Sequence, residues 1–168
     1  VNAISSVKDK SLLPKSTIYV NLEPCSHFGK TPPCANLIIE HKIPKVVIGS
    51  IDSFSKVSGK GIDRMKNAGI EVEVGVLEKE SRELNKRFFT FQEKKRPYII
   101  LKWAESKDGY IAPKNQTAPF WMTSSESKKL VHKWRAEETA ILVGRVTAEK
   151  DNPCLTVREV EGENPIRI

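Results

Sequence analysis

The run Val46-Val47-Ile48 constrains the fold more than any other feature, because it lacks the polar–apolar alternation of a half-exposed strand. Uninterrupted apolar runs of this kind are typical of the buried strands of parallel sheets. The β-rich segment 17–22 precedes it, and residues 35–41 between the two have the apolar content of a short helix. Strand, helix and strand in this order predict a βαβ unit and therefore an α/β fold.

Three more elements complete the first half of the chain. Residues 61–68 predict a helix, and residues 70–74 alternate as a strand with one exposed face. Residues 77–91 predict a single amphipathic helix. Its apolar stripe is expected to consist of Leu84, Phe88 and Phe91.

The pattern restarts at Pro97, because a proline cannot continue the preceding helix. Residues 98–103 predict a new strand, so we expect one domain over 1–96 and a second over 97–168.

The second domain is predicted to begin with that strand and to continue with alternating helices and strands. Capping residues at 123–126 predict the start of a helix, 139–144 a buried strand and 145–149 a short helix. Residues 155–157 are expected to be extended. Residues 165–168 resemble the beginning of a strand, so we expect this domain to be incomplete.

The charge balance indicates an anionic partner. The 28 Lys and Arg residues exceed the 21 Asp and Glu residues by +7, which suits nucleic acid, an acidic surface or a phosphorylated small molecule. No apolar run approaches the roughly 20 residues that cross a bilayer, and no secretion signal is present, so we expect a cytoplasmic protein without membrane contact. The odd count of three cysteines favours a metal or a free thiol over a disulfide framework.

Cys25 and Cys34 flank one loop, which starts where the strand 17–22 ends and finishes where the helix 35–41 begins. The N–H groups at a helix start lower the pKa of a thiol and favour the thiolate that a metal requires. Two thiolates here could share Zn²⁺, with a water as the nucleophile in an open position. From spacing alone, a pair of unrelated reduced thiols is an equally good interpretation, because the usual metal spacings are shorter.

The same loop resembles the cysteine half of the zinc-dependent cytidine-deaminase superfamily, through Glu23-Pro24-Cys25, Ser26-His27 and Pro33-Cys34. More closely, the chain is similar over nearly its full length to the riboflavin-biosynthesis deaminase/reductase family. That family joins a pyrimidine deaminase to a carboxy-terminal reductase. The other matching segments are Gly59-Lys60-Gly61-Ile62, Ser106-Lys107-Asp108-Gly109, Trp121-Met122-Thr123-Ser124, Ile141-Leu142-Val143-Gly144 and residues 151–158.

The resemblance implies a cytidine-deaminase-like three-layer sandwich followed by the first part of a dihydrofolate-reductase-like domain. It implies zinc-dependent hydrolytic deamination of 2,5-diamino-6-(5-phosphoribosylamino)pyrimidin-4-one and NADPH-dependent reduction of the ribosyl side chain to ribityl. The expected partner is therefore a phosphorylated pyrimidine rather than nucleic acid, and a homo-oligomer is compatible with the resemblance.

In the deaminase half, the resemblance assigns Cys25 and Cys34 to zinc and His27, Lys30 and Asp52 to the substrate. The family's zinc histidine and its proton-shuttling glutamate belong to a His-Ala-Glu triplet, which the 168 residues do not contain. That glutamate moves protons between the zinc-bound water and the leaving ammonia. We therefore expect a first domain that lacks its amino-terminal part and a chain that does not deaminate by itself.

In the reductase half, the resemblance implies two groups of residues. Those around NADPH are Ala104, Trp121, Thr147 and Asp151. Those around the phosphorylated sugar are Lys102, Thr123, Arg135, Leu155 and Arg158. Guanidinium groups bind phosphate bidentately and keep their charge, which suits the two arginines to the substrate anion. The remaining histidines, His41 and His132, are interpreted as surface residues that provide no metal ligand.

Two other functions are compatible with the sequence. The charge of +7 and the superfamily chemistry permit a nucleic-acid-associated cytidine or adenosine deaminase relative. The segments Trp121-Met122-Thr123-Ser124 and Asp151-Asn152-Pro153 have no place in that interpretation. A non-catalytic remnant that uses its fold for assembly or metal storage is the third hypothesis.

Overall fold

A computed structural model describes residues 1–29, 31–115 and 120–168. The chain divides into two compact units, Val1–Ile100 and Leu101–Ile168, and each is described by itself. None of the helices in the described ranges combines the length and the apolar character that a bilayer crossing requires.

Within residues 1–29 and 31–100, the first unit is built on a parallel sheet of three strands in the order β1-β2-β3. The strands are β1 Thr17–Leu22, β2 Lys45–Ser50 and β3 Glu71–Val74. The α-helices are α1 Asn2–Ser6, α2 Cys34–Glu40, α3 Lys60–Asn67, α4 Glu78–Leu84 and α5 Lys86–Lys94, and a 3-10 helix spans Lys10–Lys15. The order β1-α2-β2 confirms the predicted βαβ unit.

The central strand β2 is buried on both faces. Val46 and Ile48 point to one face and belong to a core cluster that includes Ile38 of α2 and Met65 of α3. On the opposite face, Gly49 lies against α4. Helices therefore cover both faces of the sheet, which is the three-layer arrangement expected from the sequence.

The single helix predicted over 77–91 is wrong. Asn85, with φ −100° and ψ 20°, separates α4 from α5. This break changes the helical phase, so Leu84 and Phe91 of the predicted stripe are exposed, whereas Ser81 and Phe89 are buried.

The described residues of the second unit, 101–115 and 120–168, form two α-helices and a two-stranded parallel sheet. Its elements are α6 Ser125–Glu137, β4 Ala140–Ile141, α7 Arg145–Asp151 and β5 Ile166–Arg167, with β4 paired to β5. The predicted start of α6 is confirmed, because the Ser124 hydroxyl accepts a hydrogen bond from the Ser127 N–H at 3.3 Å and caps the helix.

Two strands predicted in this region differ from the structure. The buried strand expected over 139–144 is limited to Ala140–Ile141, and Leu142 beyond it is exposed. Residues 98–103 form no strand, and Leu101 and Trp103 are exposed. A strand is stable only when a neighbour pairs with it, and within the described ranges no strand pairs with this segment.

The loop after β1 is held by the carboxylate of Glu23, which is 3% exposed. Its Oε1 accepts hydrogen bonds from the N–H groups of Gly61 at 2.9 Å and Ile62 at 3.3 Å, in the first turn of α3. Its Oε2 accepts from the N–H groups of Gly59 at 2.9 Å and Asp52 at 3.3 Å. A negative charge also suits the amino terminus of a helix. One side chain thus connects the ends of β1 and β2 to the start of α3.

We expect Glu23→Gln to lower the free energy of unfolding by about 2–4 kcal/mol, because the amide NH₂ would point a donor at buried N–H groups and leave them unpaired. Urea unfolding followed by circular dichroism measures the change. Glu83→Gln is the matched control, because Glu83 forms an exposed ion pair with Lys86 and should hardly matter. Equal effects of the two substitutions would contradict the bridging role of Glu23.

We expect Gly49→Ala to destabilise the first unit by about 1–3 kcal/mol, because a Cβ at Gly49 would overlap the Ser81 side chain and lie 3.1 Å from the Asn21 carbonyl oxygen. The same unfolding experiment measures the loss. Gly29→Ala is the control, since its nearest neighbour would be His27 Nε2 at an ordinary 3.9 Å. A Gly49→Ala variant as stable as this control would show that α4 does not pack tightly on β2.

Candidate zinc and phosphate sites

Two thiols meet at the edge of the sheet where β1 and β2 end. Cys25 follows β1 by three residues, and Cys34 is the first residue of α2. The Cys34 N–H donates a hydrogen bond to Cys25 Sγ at 3.2 Å, and the Ala35 N–H donates to the Cys25 carbonyl oxygen at 3.1 Å. The cysteine loop is therefore closed by two main-chain N–H groups of α2, one bonded to the Cys25 sulfur and one to the Cys25 carbonyl oxygen, and the two thiols lie close together.

The environment of Cys34 differs from what the helix start alone predicts. Burial raises the pKa of the Cys34 thiol, and the neighbouring Cys25 thiol raises that pKa further. Desolvation and the second sulfur therefore both favour the neutral thiol at Cys34. A bound cation reverses this balance wherever it occurs, because it stabilises the thiolate.

The thiol pair suits zinc as a partial ligand set. Cys25 and Cys34 are both free, and thiolate sulfur is a preferred zinc ligand. A catalytic zinc site takes three protein ligands. In residues 1–29, 31–115 and 120–168, no group of three or more His, Cys, Asp or Glu side chains could hold a metal. The described residues therefore bring together two candidate ligands rather than a complete set.

His27 and Asp52 lie at the same edge of the sheet. The His27 ring packs edge to face on Phe54, with 5.7 Å between centroids, and the Phe54 N–H donates a hydrogen bond to Asp52 Oδ1 at 2.7 Å. Burial raises the pKa of Asp52 in spite of that hydrogen bond. His27 Nδ1 is buried and has no hydrogen-bond partner among the described residues. Lys30, the other expected substrate contact, lies outside the described residues.

In the second unit, Arg135 of α6 and Arg158 converge on Thr156. Arg135 Nη1 donates to the Thr156 carbonyl oxygen at 3.2 Å, and Arg158 Nη1 donates to Thr156 Oγ1 at 2.8 Å. Burial lowers the pKa of Arg135, and the charge of Arg158 lowers it further. Arg135 Nε is buried without a hydrogen-bond partner, and within the described ranges neither guanidinium forms an ion pair with a carboxylate. This uncompensated positive charge suits an anion.

Leu155 precedes this cluster in an uncommon conformation. Its φ of 57° is in the left-handed region, and its side chain is 8% exposed. Left-handed backbone costs a branched residue roughly 1–2 kcal/mol. Such conformations persist only where the surrounding structure holds them, and they cluster at functional sites.

His132 is buried, with 2% exposure, which corrects its interpretation as a surface residue. Its Nδ1 accepts a hydrogen bond from the Arg158 N–H at 3.0 Å. Burial lowers the pKa of His132, and the charges of Arg135 and Arg158 lower it further. One signal in the sequence could have identified it: His132 and Arg135 are three residues apart on one helix, and therefore share a face.

The other residues expected in the reductase half are more dispersed. Trp121 and Thr123 precede α6 and are exposed, and Lys128 Nζ lies 5.9 Å from the Trp121 ring centroid. The remaining positions are exposed Lys102, half-buried Ala104, and exposed Thr147 and Asp151 on α7. Within the described part of the second unit, no hydrogen bond or ring contact joins the four expected cofactor residues Ala104, Trp121, Thr147 and Asp151.

Two family models match the chain. Residues 1–50 match the cytidine and deoxycytidylate deaminase zinc-binding region, and residues 97–168 match the RibD C-terminal domain. The first match contains the cysteine loop, and the second contains Arg135, His132 and Arg158. The fold predicted from the sequence is thereby confirmed as a deaminase domain followed by the start of a reductase domain.

Curated relatives and solved structures agree with these matches. The riboflavin biosynthesis protein RibD of Aquifex aeolicus is 52% identical over 154 residues, which are 91% of this chain and 43% of that protein. The RibD protein of Synechocystis is 45% identical over 153 residues, 91% of this chain and 41% of that protein. This chain thus spans less than half the length of these relatives.

A crystal structure of a diaminohydroxyphosphoribosylaminopyrimidine deaminase/5-amino-6-(5-phosphoribosylamino)uracil reductase from Thermotoga maritima matches with a TM-score of 0.82 and 47% identity, over 90% of this chain and 42% of that chain. Acinetobacter baumannii RibD matches with a TM-score of 0.83 and 36% identity, over 95% of this chain and 46% of that chain. These findings favour the riboflavin hypothesis over the nucleic-acid-associated one. The chain belongs to the RibD family of riboflavin biosynthesis proteins.

Proposed function

We propose that the protein containing this chain acts in riboflavin biosynthesis. It removes an amino group hydrolytically from 2,5-diamino-6-(5-phosphoribosylamino)pyrimidin-4-one with zinc, and it reduces the ribosyl side chain to ribityl with NADPH. The observation that carries the proposal is the closed cysteine loop, in which Cys34 N–H bonds to Cys25 Sγ beside His27 and Asp52. The name of the Thermotoga structure supports the same reaction pair, and the name of the Aquifex relative supports the place in riboflavin biosynthesis.

In the deaminase site, Cys25 and Cys34 would hold zinc, which when bound supplies an activated water for hydrolysis. His27 would donate to or accept from the heterocycle through its unpartnered Nδ1. Asp52 would contact the substrate near the same edge, and Lys30 would attract its phosphate. Since the 168 residues contain no His-Ala-Glu triplet, this chain would not transfer the protons of deamination by itself.

In the reductase site, Arg135 and Arg158 would bind the substrate phosphate, and Lys102, Thr123 and Leu155 would lie around the phosphorylated sugar. Anchoring that end restricts the position of the sugar carbon that accepts hydride, which is how a protein contributes orientation to a cofactor reaction. The expected NADPH contacts are Ala104, Trp121, Thr147 and Asp151.

The remaining proposals concern organisation. The division into domains 1–96 and 97–168 is supported by the range of the RibD C-terminal match, which begins at residue 97. A phosphorylated pyrimidine would be the partner, without nucleic acid or membrane, and a homo-oligomer is compatible with this function. A cytoplasmic location is supported by the three free cysteines, since reduced thiols persist in that compartment.

Cobalt substitution tests the thiol pair. We expect the chain to bind Co²⁺ with a thiolate-to-metal charge-transfer band, and Cys25→Ser to weaken that binding by at least about tenfold, because it removes a ligand. Cys154→Ser is the control, since Cys154 is exposed and lies in the other unit. Equal binding by the two variants would reject the zinc site.

An ammonia-release assay tests the missing proton shuttle separately. The 168-residue chain loaded with Zn²⁺ should release no ammonia from the pyrimidine, because no glutamate of a His-Ala-Glu triplet is present. Measurable turnover that requires zinc would show that another residue moves the protons.

Calorimetric titration with ribose 5-phosphate tests the arginine pair. We expect Arg135→Ala and Arg158→Ala each to weaken binding roughly 10- to 100-fold, since a charge-assisted hydrogen bond contributes about 1.5–3 kcal/mol. Arg145→Ala is the control, because Arg145 is exposed and paired with Glu149 at 2.7 Å. Unchanged affinity in both test variants would exclude the phosphate site.

A further inference from the structure

We propose that His132 is a positioning residue of the phosphate site, and that its neutral imidazole holds the main chain of Arg158 so that both guanidinium groups face one anion. This inference rests on the phosphate role proposed above for Arg135 and Arg158. It adds a residue that does not contact the anion and acts through another.

The segment around Thr156 is attached to α6 by two hydrogen bonds, besides the Lys128–Glu159 ion pair at 2.7 Å. Arg135 Nη1 donates to the Thr156 carbonyl oxygen at 3.2 Å, and the Arg158 N–H donates to His132 Nδ1 at 3.0 Å. Arg135 and His132 are three residues apart, so both attachments come from one face of one helix. The His132 attachment fixes the Arg158 main chain, and with it the origin of the Arg158 side chain.

The hydrogen bond to Arg158 requires an unprotonated ring. In a neutral imidazole one nitrogen accepts and the other donates, whereas both nitrogens donate in the charged form. Protonation of Nδ1 would therefore place two donors face to face and release the Arg158 main chain.

The charges around the ring keep it neutral. Lys128 and Arg135 face it from α6, and Arg158 and Glu159 face it from the other segment, with Lys128 paired to Glu159 at 2.7 Å. Three positive groups thus oppose one carboxylate, and burial acts in the same direction, so the pKa of His132 lies below its ordinary 6.5. In the unfolded chain His132 has its ordinary pKa of 6.5, so it binds a proton at a higher pH there than in the folded chain. The free energy of unfolding should therefore fall as the pH drops from 6.5 towards the lower pKa of the folded state.

Two physical effects predict opposite responses of anion binding to acid. If His132 acted only through its charge, protonation would add a positive group near the anion and tighten binding. If it positions Arg158, protonation breaks the attachment and weakens binding. The sign of the pH dependence therefore separates the two roles.

The experiment is an NMR titration of the 168-residue chain with sulfate, which stays doubly charged over the range used. The wild-type chain should lose about tenfold in sulfate affinity between about pH 7.5 and pH 4.5, the equivalent of one hydrogen bond. The Arg158 amide resonance should follow the midpoint of the His132 ring. His41→Asn, which changes a histidine of the other unit, is the control and should keep this profile.

Two substitutions at His132 test the role at constant pH. His132→Asn supplies an acceptor that does not titrate, so it should keep affinity within about threefold at pH 7.5 and lose the pH dependence. His132→Leu supplies no acceptor and should bind about tenfold more weakly at every pH. Amide spectra of each variant verify that the second unit is folded.

Sulfate binding that tightens in acid would overturn the inference. Equal sulfate affinities of His132→Asn and His132→Leu at pH 7.5 would also overturn it, as would an Arg158 amide chemical shift that does not change as His132 titrates. If the wild-type chain binds no sulfate, the proposed phosphate site fails. The Arg158 amide then still decides whether His132 holds that main chain, by following the ring titration in the wild type and losing it in His132→Asn.

Discussion

A buried carboxylate accepting four main-chain hydrogen bonds organises the first unit. An ionised side chain away from water is costly unless hydrogen bonds replace its hydration, and Glu23 obtains them from Asp52, Gly59, Gly61 and Ile62. These donors belong to segments that are distant in the sequence. The position of the cysteine loop, which starts two residues after Glu23, therefore depends on how the ends of two strands and one helix meet.

The elements that the sequence predicted well have local causes. Val46, Val47 and Ile48 read as a buried strand because no exposed face interrupts them, and Ser124 caps α6 through a residue three positions away. The wrong predictions concern elements decided elsewhere. The segment 98–103 has the composition of a strand but gains no partner in the described ranges, and a single residue, Asn85, divides a helix whose apolar spacing looked continuous.

The same distinction applies to the sites. Cys25 and Cys34 are found from a short motif, because their loop is contiguous and is closed by its own main chain. The sequence does not predict the roles of His132 and Glu23, because their hydrogen-bond partners lie 26 residues away for His132 and 29 to 39 residues away for Glu23. Their roles follow from burial and a long-range hydrogen bond, and neither is visible in a residue's immediate neighbours.

The left-handed backbone at Leu155 sets two opposing energies against each other in this chain. Glycine would relieve roughly 1–2 kcal/mol of backbone strain there, but it would forfeit about 1.5–3 kcal/mol of apolar burial and loosen the unfolded chain. The free energy of apolar burial is the larger of the two and favours leucine at this position. Burial of the Leu155 side chain thus offsets the cost of a left-handed backbone that glycine would adopt without strain.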